Sequence, residues 1–316
     1  MQTKHVKWVL AHEPIDIFIK AAEKFIEVME QLAPGALKVE VMTLSEYAER
    51  YNNGQSITKH DLVQLMEDNK IELSQTYSYV LGNKYSKDMH VMDMPFLFRD
   101  HDHAAAVFEG EIGQSLLNSY GKNSNLQGLA FTYSGGFRNL AMSKNVEDLN
   151  DMKGTRIRAT ANPVCQAIFE SIGAEPVQFD IEDLADRMED GTVVGGESSW
   201  PRIYACRQNE VTSVIYDTEH NLLTTNIIAN KSWMQGLDAD LQAKIKQAAI
   251  EAARHERIIS VEDVDRVGAK AKADGIEVVK LSRKEQESFR QVTDKVYEKF
   301  ADYFSPGLVN SIKTLH

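Results

Sequence analysis

The stretch LDADLQAKIKQAAIEAARHERIISVEDVDRV, residues Leu237–Val267, contains neither proline nor glycine and is rich in alanine, isoleucine and glutamate. Its amphipathic pattern predicts one long helix that ends near Gly268. At about 1.5 Å per residue, a helix of about 30 residues is roughly 45 Å long. Because that exceeds the width of one domain, we expect the helix either to bridge two lobes or to protrude.

The rest of the chain alternates between predicted strands and helices. Strands are predicted at Val6–Ala11, Leu37–Met42 and Ile71–Thr76, with helices between them. This βαβαβ order favours a parallel or mostly parallel sheet. The later predicted elements are helices at His101–Tyr120, Pro163–Ile172, Glu182–Asp190 and Arg283–Phe304, and strands at Leu126–Tyr133, Arg156–Ala159, Val211–Leu223 and Ile276–Lys280. No flexible linker separates them, so the pattern predicts two interleaved α/β lobes.

Composition excludes several classes of protein. The chain has 316 residues, of which 43% are hydrophobic, which is typical of globular proteins. Its net charge of −12 disfavours binding to nucleic acid or to anionic membranes. No apolar run approaches the roughly 20 residues that a membrane span needs. Met1–Leu10 mixes lysine, histidine and tryptophan and lacks the apolar core of a secretory signal.

No residue pattern commits the chain to catalysis. The sequence lacks a nucleophile elbow, a zinc-protease motif and a Walker loop. The stretch His101–His103 is interpreted as a helix start rather than a metal site, and Ser134–Gly136 as a turn rather than an anion nest. The acidic residues Glu197, Asp217 and Glu219 are interpreted as solvated loop charges. We therefore predict that the protein is not an enzyme and has no cofactor and no metal.

The two cysteines, Cys165 and Cys206, fit no metal-binding or redox spacing. Two readings stay open for them. They are either small buried side chains or the two halves of a disulfide.

Five stretches together resemble one family of bacterial receptors. They are Met92–Asp100 with Gly110–Gly113, Gly136–Arg138, Asp151–Arg158, Gly173–Glu197, and Trp233 with Leu237. In this order they resemble the extracytoplasmic substrate-binding proteins of tripartite ATP-independent periplasmic (TRAP) transporters, the dicarboxylate-binding family. The match spans most of the chain.

The resemblance implies a two-lobed α/β fold of the periplasmic-binding-protein type, with a ligand cleft between the lobes and a long connecting helix. It places residues 1–133 and about 222–262 in lobe I, and residues 134–221 and about 263–282 in lobe II. Residues 283–316 are expected to form a C-terminal helical segment that packs across the lobes.

Two arginines correspond to ligand contacts of the family. Arg158 matches the arginine whose guanidinium forks onto the ligand carboxylate, a group that arginine suits because its donors are coplanar and its charge is permanent. Arg138 matches a second arginine that contacts carboxylate or hydroxyl groups in acid-binding members, with a structural role as the alternative.

Three further residues in the second lobe depart from the family pattern. Ser198 stands where the family has a ligand-binding asparagine, and the shorter side chain leaves room for a larger ligand. Trp200 is either a pocket wall or a core residue. Glu219 adds a carboxylate near the cleft, where it pairs with Arg138, accepts from ligand hydroxyls or faces an amino group.

First-lobe contacts are expected at the carboxyl ends of strands, where ligands lie in such sheets. Glu13 occupies the first strand–helix loop, and Gln75 and Tyr77 follow the third predicted strand.

The resemblance thus predicts a solute receptor of a TRAP transporter that binds a small organic acid by domain closure and delivers it to the membrane subunits. It also implies a periplasmic location, with an export signal absent from this chain. We expect a monomer that binds no nucleic acid. The alternatives are a sensory receptor of the same fold that presents its ligand to a signalling partner, and an enzyme on a two-lobed α/β scaffold.

Overall fold

The computed structural model describes residues 3–12 and 16–315. Within them the strands are β1 Lys4–Leu10, β2 Leu37–Met42, β3 Leu73–Tyr77, β4 Leu126–Phe137, β5 Asn139–Met142, β6 Arg156–Ala159, β7 Glu175–Gln178, β8 Gly195–Ser198, β9 Val214–Asp217, β10 Leu222–Asn230 and β11 Glu277–Lys280.

The α-helices are α1 Asp16–Leu32, α2 Leu44–Tyr51, α3 Lys59–Glu67, α4 Ser78–Lys84, α5 His101–Glu109, α6 Glu111–Gly121, α7 Pro163–Ser171, α8 Leu184–Glu189, α9 Trp200–Ala205, α10 Lys231–Gln235, α11 Ala239–Ala273, α12 Arg283–Lys299 and α13 Leu308–Lys313. No helix in the described part of the chain is long and apolar enough to span a lipid bilayer.

The chain forms two compact units. The first contains the residues up to Met89 together with Ala105–Ser134 and Thr224–Ile259, and the second contains His90–Ala104, Gly135–Leu223 and Ser260 onward. Residues 90–104, which the sequence-based division put in the first lobe, therefore belong to the second unit. Residues 283–316 also fall in the second unit, and their packing across lobes stays a prediction.

The first unit is built on a five-stranded sheet in the order β2-β1-β3-β10-β4. Strand β1 pairs in parallel with both β2 and β3, as the βαβαβ pattern predicts, whereas β10 runs antiparallel to β3. Helix α1 packs on β1 through Phe25, whose ring lies 5.0 Å from that of Trp8.

The second unit is built on a six-stranded sheet in the order β11-β9-β5-β8-β6-β7. Side chains alternate between its faces, as the pleat requires. Leu140 and Met142 of β5 pack in one core with Phe169 of α7 and Phe289 of α12. Ala141 faces the other core, which contains residues of α9 and α11. On β6, Ile157 and Ala159 belong to the first of these cores, so Arg158 points to the opposite face.

The long predicted helix is present as α11, which begins in the first unit and ends in the second. It continues through Gly268 to Ala273, and Gly275 follows it with a φ of +88°, a conformation that glycine adopts without strain. Two predicted elements are divided. One of them is divided at Gly110, which lies between α5 and α6. A side chain at this position would meet the carbonyl oxygen of Ala106 at 2.8 Å. The segment Val211–Leu223 contains β9 and the start of β10, not one strand.

Candidate ligand-binding site

Arg158 lies on β6, between β8 and the edge strand β7 of the second sheet, with only 4% of its surface exposed. Strand β8 approaches β6 closely here, and Arg158 pairs in register with Gly196. A side chain at Gly196 would place its Cβ 2.8 Å from that of Arg158, so glycine is needed for this approach. The Arg158 guanidinium donates to the carbonyl of Phe179 at 3.2 Å and to the carbonyl of Glu197 at 3.4 Å. These contacts fix the plane of the guanidinium.

Arg138 is 1% exposed and follows β4 directly. Its Nη1 donates to Glu197 Oε2 at 2.9 Å and its Nη2 lies 3.2 Å from Asp93 Oδ1. The same Nη1 is 3.1 Å from the sulfur of Cys165. One buried cation is therefore matched by two buried carboxylates, which is the condition under which such charges are tolerated in a protein interior.

Glu197 is the centre of this cluster. Burial alone would raise its pKa, but Arg138, His220 and Arg158 together hold the pKa of Glu197 well below its usual range. The Nε2 atom of His220 lies 3.5 Å from Glu197 Oε2, and burial lowers the pKa of His220. Burial also raises the pKa of Asp93, to about 6, although Arg138 opposes the shift.

The cluster is connected to Arg158 through Glu197. The Oε1 atom of Glu197 accepts a hydrogen bond from the backbone N–H of Thr160, and its main-chain carbonyl accepts from Arg158. Arg158 also donates to Thr160 Oγ1 at 3.4 Å. Arg138 thus fixes the carboxylate of Glu197 by an ion pair. Glu197 in turn contacts Arg158 and Thr160 at the end of β6 by hydrogen bonds.

Ser198 and Trp200 are both buried, at the end of β8 and the start of α9. The Ser198 hydroxyl is 3.5 Å from the carbonyl of Ser199. Trp200 packs in the core between the sheet and α11 and also lines a cavity in the second unit, while its role as a wall of the organic-acid pocket stays a prediction.

Glu219 lines the same cavity as Trp200. It is exposed, and its carboxylate accepts from the side chain of Gln286 at 3.3 Å. The proposed pairing of Glu219 with Arg138 is wrong, because the carboxylates bound to that arginine are Asp93 and Glu197. The interpretation of Glu197 as a solvated loop charge is also wrong, because this residue is buried in β8.

Gln75 and Tyr77 lie within β3 in the first unit, not after the strand. Both are buried. The Gln75 amide nitrogen donates to both carboxyl oxygens of Glu256, each at 2.8 Å, and to the hydroxyl of Thr225 at 3.0 Å. The ring of Tyr77 lies 6.0 Å from that of Phe18. Glu13 lies outside the described residues.

Two other expectations concern the cysteines and the glycine pair. Cys165 and Cys206 are both buried, and no disulfide joins them. The interpretation of Ser134–Gly136 as a turn is wrong, because these residues lie inside β4. Gly135 and Gly136 have positive φ values there, and the N–H of Gly135 donates to the hydroxyl of Ser260 at 3.3 Å.

Sequence reasoning missed Asp93 and His220 as members of the buried cluster. The signal for Asp93 is its place in Met92–Met94, where one carboxylate stands between two methionines in an apolar stretch. For His220, no signal in the sequence distinguishes a buried partner of Glu197 from an exposed histidine.

Comparison with known proteins gives the family. The model of bacterial extracellular solute-binding protein, family 7 (DctP) matches residues 10–303. The C4-dicarboxylate-binding periplasmic protein DctP of Rhodobacter capsulatus is 24% identical over 93% of this chain and 85% of its own length.

Solved structures agree with this assignment. A TRAP periplasmic solute-binding protein of Ochrobactrum anthropi, with its C-terminus bound in the ligand-binding pocket, is 25% identical and has a TM-score of 0.86 over 98% of this chain and 94% of its own. A TRAP periplasmic solute-binding protein of a Polaromonas species, bound to D-erythronate, is also 25% identical, with a TM-score of 0.85 over 99% of both chains. The chain belongs to family 7 of the bacterial extracellular solute-binding proteins and has the two-lobed α/β fold of TRAP solute receptors.

Proposed function

We propose that this protein binds a small organic acid through Arg158 and delivers it to the membrane subunits of a TRAP transporter. The observation that carries the proposal is the position of Arg158, whose guanidinium is held in a fixed plane by the carbonyls of Phe179 and Glu197. Arg158 is also the residue that corresponds to the carboxylate-binding arginine of the family.

A planar guanidinium at this site suits a carboxylate. A guanidinium attracts a carboxylate by its permanent charge and donates to it from a fixed plane, which adds direction to the charge attraction. Because Arg158 is almost fully buried, little water competes for these donors, and the attraction is stronger than at an exposed arginine. The side chain is already oriented, so binding costs little rotamer entropy.

Arg138 has a different role in this proposal. Its charge is already matched by Asp93 and Glu197, so it has little attraction left for a ligand carboxylate. We assign it as a positioning residue that acts on Arg158 through Glu197. This modifies the sequence-based expectation that Arg138 touches the ligand.

Other contacts remain proposals of lower rank. Ser198 offers a buried hydroxyl close to Glu197, suited to a hydroxyl group of the ligand. Gln75 and Tyr77 are kept as contacts supplied by the first unit, and Glu13 as a further one. The relatives named above bind C4-dicarboxylates or D-erythronate, so we propose a hydroxylated or dicarboxylic acid of similar size.

We further propose that the protein acts in the periplasm, as its relatives are named, and that it works as a monomer without nucleic acid. The family is one of transport receptors, so no reaction of the bound acid is expected. No observation favours a sensory receptor or an enzyme over this function.

The first experiment identifies the bound ligand and then compares it with an analogue that lacks the carboxylate. Mass spectrometry of the gently purified and then denatured protein gives the bound acid. Calorimetry then compares that acid with its primary amide, which keeps the shape but lacks the charge. We expect the acid to bind at one site per chain and the amide at least about tenfold more weakly. Equal affinities would contradict the proposal, and so would conversion of the acid during incubation.

A further inference from the structure

A cavity of about 490 Å³ lies within the second unit, next to the last turns of α11. Its walls come from that helix, from the ends of β9 and β11, and from the rings of Phe137 and Trp200. Arg158, Arg138 and Ser198 are not among its lining residues. The volume falls in the range of small-molecule sites, and none of the three residues just named lines it.

Charged side chains of both signs line the cavity. The acidic ones are Asp217, Glu219 and Asp265, and the basic ones are Lys272 and Lys280. Within residues 3–12 and 16–315, none of these five side chains takes part in a salt bridge. By contrast, Lys270, which lies two residues before Lys272 on α11, forms a salt bridge in which its Nζ lies 2.7 Å from Asp274 Oδ2. The five charges are therefore not neutralised by ion pairs with one another, and all of these side chains except Asp217 are exposed.

Asp217 and Lys280 are the clearest example of two neighbouring opposite charges that form no salt bridge. They occupy the same register position of the parallel pair β9–β11, so their side chains start side by side. They nevertheless form no ion pair. Burial and the neighbouring Glu219 raise the pKa of Asp217 to about 6, against the pull of Lys280.

The backbone directs a second carboxylate to the same place. Glu219 has a φ of +48°, in the left-handed region that residues with a side chain rarely adopt. Its neighbours Thr218 and His220 are fully buried, whereas Glu219 is exposed on the cavity wall. Such strain is kept where the surrounding structure fixes it, and it is common at binding sites.

We propose that this cavity binds a small zwitterion, such as a free amino acid with an apolar side chain, at a site distinct from the Arg158 anchor. The ammonium group lies between Asp217 and Glu219, and the carboxylate lies towards Lys272 and Lys280. The side chain packs on Val264, Val278 and Trp200.

A ligand with charges of both signs fits better than a simple anion or cation. An anion would approach three carboxylates, and a cation would approach two lysines. A zwitterion meets each set with the opposite charge, and it relieves the repulsion between Asp217 and Glu219. The aromatic walls add a favourable surface for the ammonium group.

The test uses L-leucine as the probe, with L-leucinamide and N-acetyl-L-leucine as analogues that each lack one charge. Binding is followed by calorimetry and by the tryptophan fluorescence of the protein. We expect L-leucine to bind with a dissociation constant of about 1 mM or tighter, and both analogues to bind at least about tenfold more weakly. The fluorescence change should disappear in Trp200→Phe.

Matched variants locate the site. Lys272→Met should weaken L-leucine binding about tenfold or more, while Lys270→Met, on the same turn but outside the cavity, should leave it unchanged. Ala269→Trp should block the cavity from the exposed face of α11. Arg158→Ala should retain L-leucine binding, which separates this site from the organic-acid site.

Three results would overturn the inference. One is the absence of binding at about ten times the expected dissociation constant. Another is binding of L-leucinamide or N-acetyl-L-leucine as tight as that of L-leucine. The third is loss of L-leucine binding in Arg158→Ala, because the probe would then occupy the anchor site.

Discussion

Two buried carboxyl groups, one in each unit, differ in the charge of the side chain that contacts them. Glu197 in the second unit contacts the guanidinium of Arg138 at 2.9 Å, whereas Glu256 in the first unit accepts hydrogen bonds from the neutral amide of Gln75. Both side chains are at most 1% exposed.

The consequence for ionisation is opposite in the two places. Burial raises the pKa of Glu256 to about 8, because hydrogen bonds from Gln75 and Thr132 and the more distant charge of Arg257 compensate only part of the desolvation. For Glu197 the same desolvation is outweighed by Arg138, His220 and Arg158, so its pKa falls. The charge of the partner, not burial itself, decides whether an interior carboxyl group stays ionised.

The largest expected effect comes from removing the cation. Arg138→Met leaves Asp93 and Glu197 buried together without a positive partner. Breaking a buried ion pair in this way costs about 3–5 kcal/mol, which chemical denaturation measures directly.

The matched control is Arg156→Ala, since Arg156 is exposed at the start of β6 and should change the unfolding free energy by no more than about 0.5 kcal/mol. A loss below about 1 kcal/mol in Arg138→Met would mean that Arg138 does not compensate the two carboxylates.

The second prediction uses the pH range from about 4.5 to about 8. Because the pKa of Glu256 is raised, its stabilising contribution is complete below the unfolded value of 4.5 and is lost as the pH rises through about 8. Glu256→Gln should therefore unfold less easily than the parent above that pH, by a free energy on the order of a few kcal/mol, with a smaller difference in acid.

Glu262→Gln is the control, because Glu262 is exposed on the same helix. Denaturation series across pH would contradict the account of Glu256 if the parent and Glu256→Gln lost stability in parallel between about pH 4.5 and pH 8.

The third prediction uses pH on the acidic side. The pKa of Glu197 is lowered, so its contribution is present above the unfolded value of 4.5 and is lost as the pH falls below it. The parent should be more stable than Glu197→Gln near neutral pH by about 2 kcal/mol, and the two should converge in acid. If the difference in unfolding free energy between the parent and Glu197→Gln stays constant as the pH is lowered, the charge of the carboxylate is not what stabilises the cluster.

The fold was largely predictable from local patterns. Strands β2, β6 and β11 agree with the sequence-based elements within one residue, because their apolar pattern is a local signal, whereas the long helix α11 was predicted but continues past its expected end at Gly268. The division between β9 and β10 was not predictable, because it depends on the left-handed backbone of Glu219, a residue with no intrinsic preference for that conformation.

The site was predictable only in part. The placement of Arg158 on a short strand followed from its Lys-Gly turn and its place in the family pattern. The partners of Arg138 did not follow, because Asp93 and Glu197 are far from it in sequence and their protonation depends on tertiary burial. Local reasoning treats such acids as solvated, and only the fold shows that they share one cation.

The smallest expected effect concerns the thiol in the cluster. Cys165 accepts hydrogen bonds from Arg138 and from Asn162, at 3.1 and 3.2 Å, and a hydroxyl accepts equally well. Cys165→Ser should cost no more than about 1.5 kcal/mol in unfolding free energy. The same measurement on Cys206→Ser, in a more apolar surrounding, provides the comparison. A loss above about 3 kcal/mol in Cys165→Ser would show that the cluster requires sulfur.

The central claim is that Arg158 anchors the ligand carboxylate and Arg138 does not. Calorimetry with the identified acid on Arg158→Ala, Arg158→Lys and Arg156→Ala tests it most directly. Truncating one side of a buried charge pair costs about 2–5 kcal/mol, so Arg158→Ala should lose about 30- to 5000-fold in affinity while remaining folded. Arg158→Lys should recover part of that loss, and Arg156→Ala should bind as the parent does. A folded Arg158→Ala protein that binds the acid within about threefold of the parent would contradict the claim.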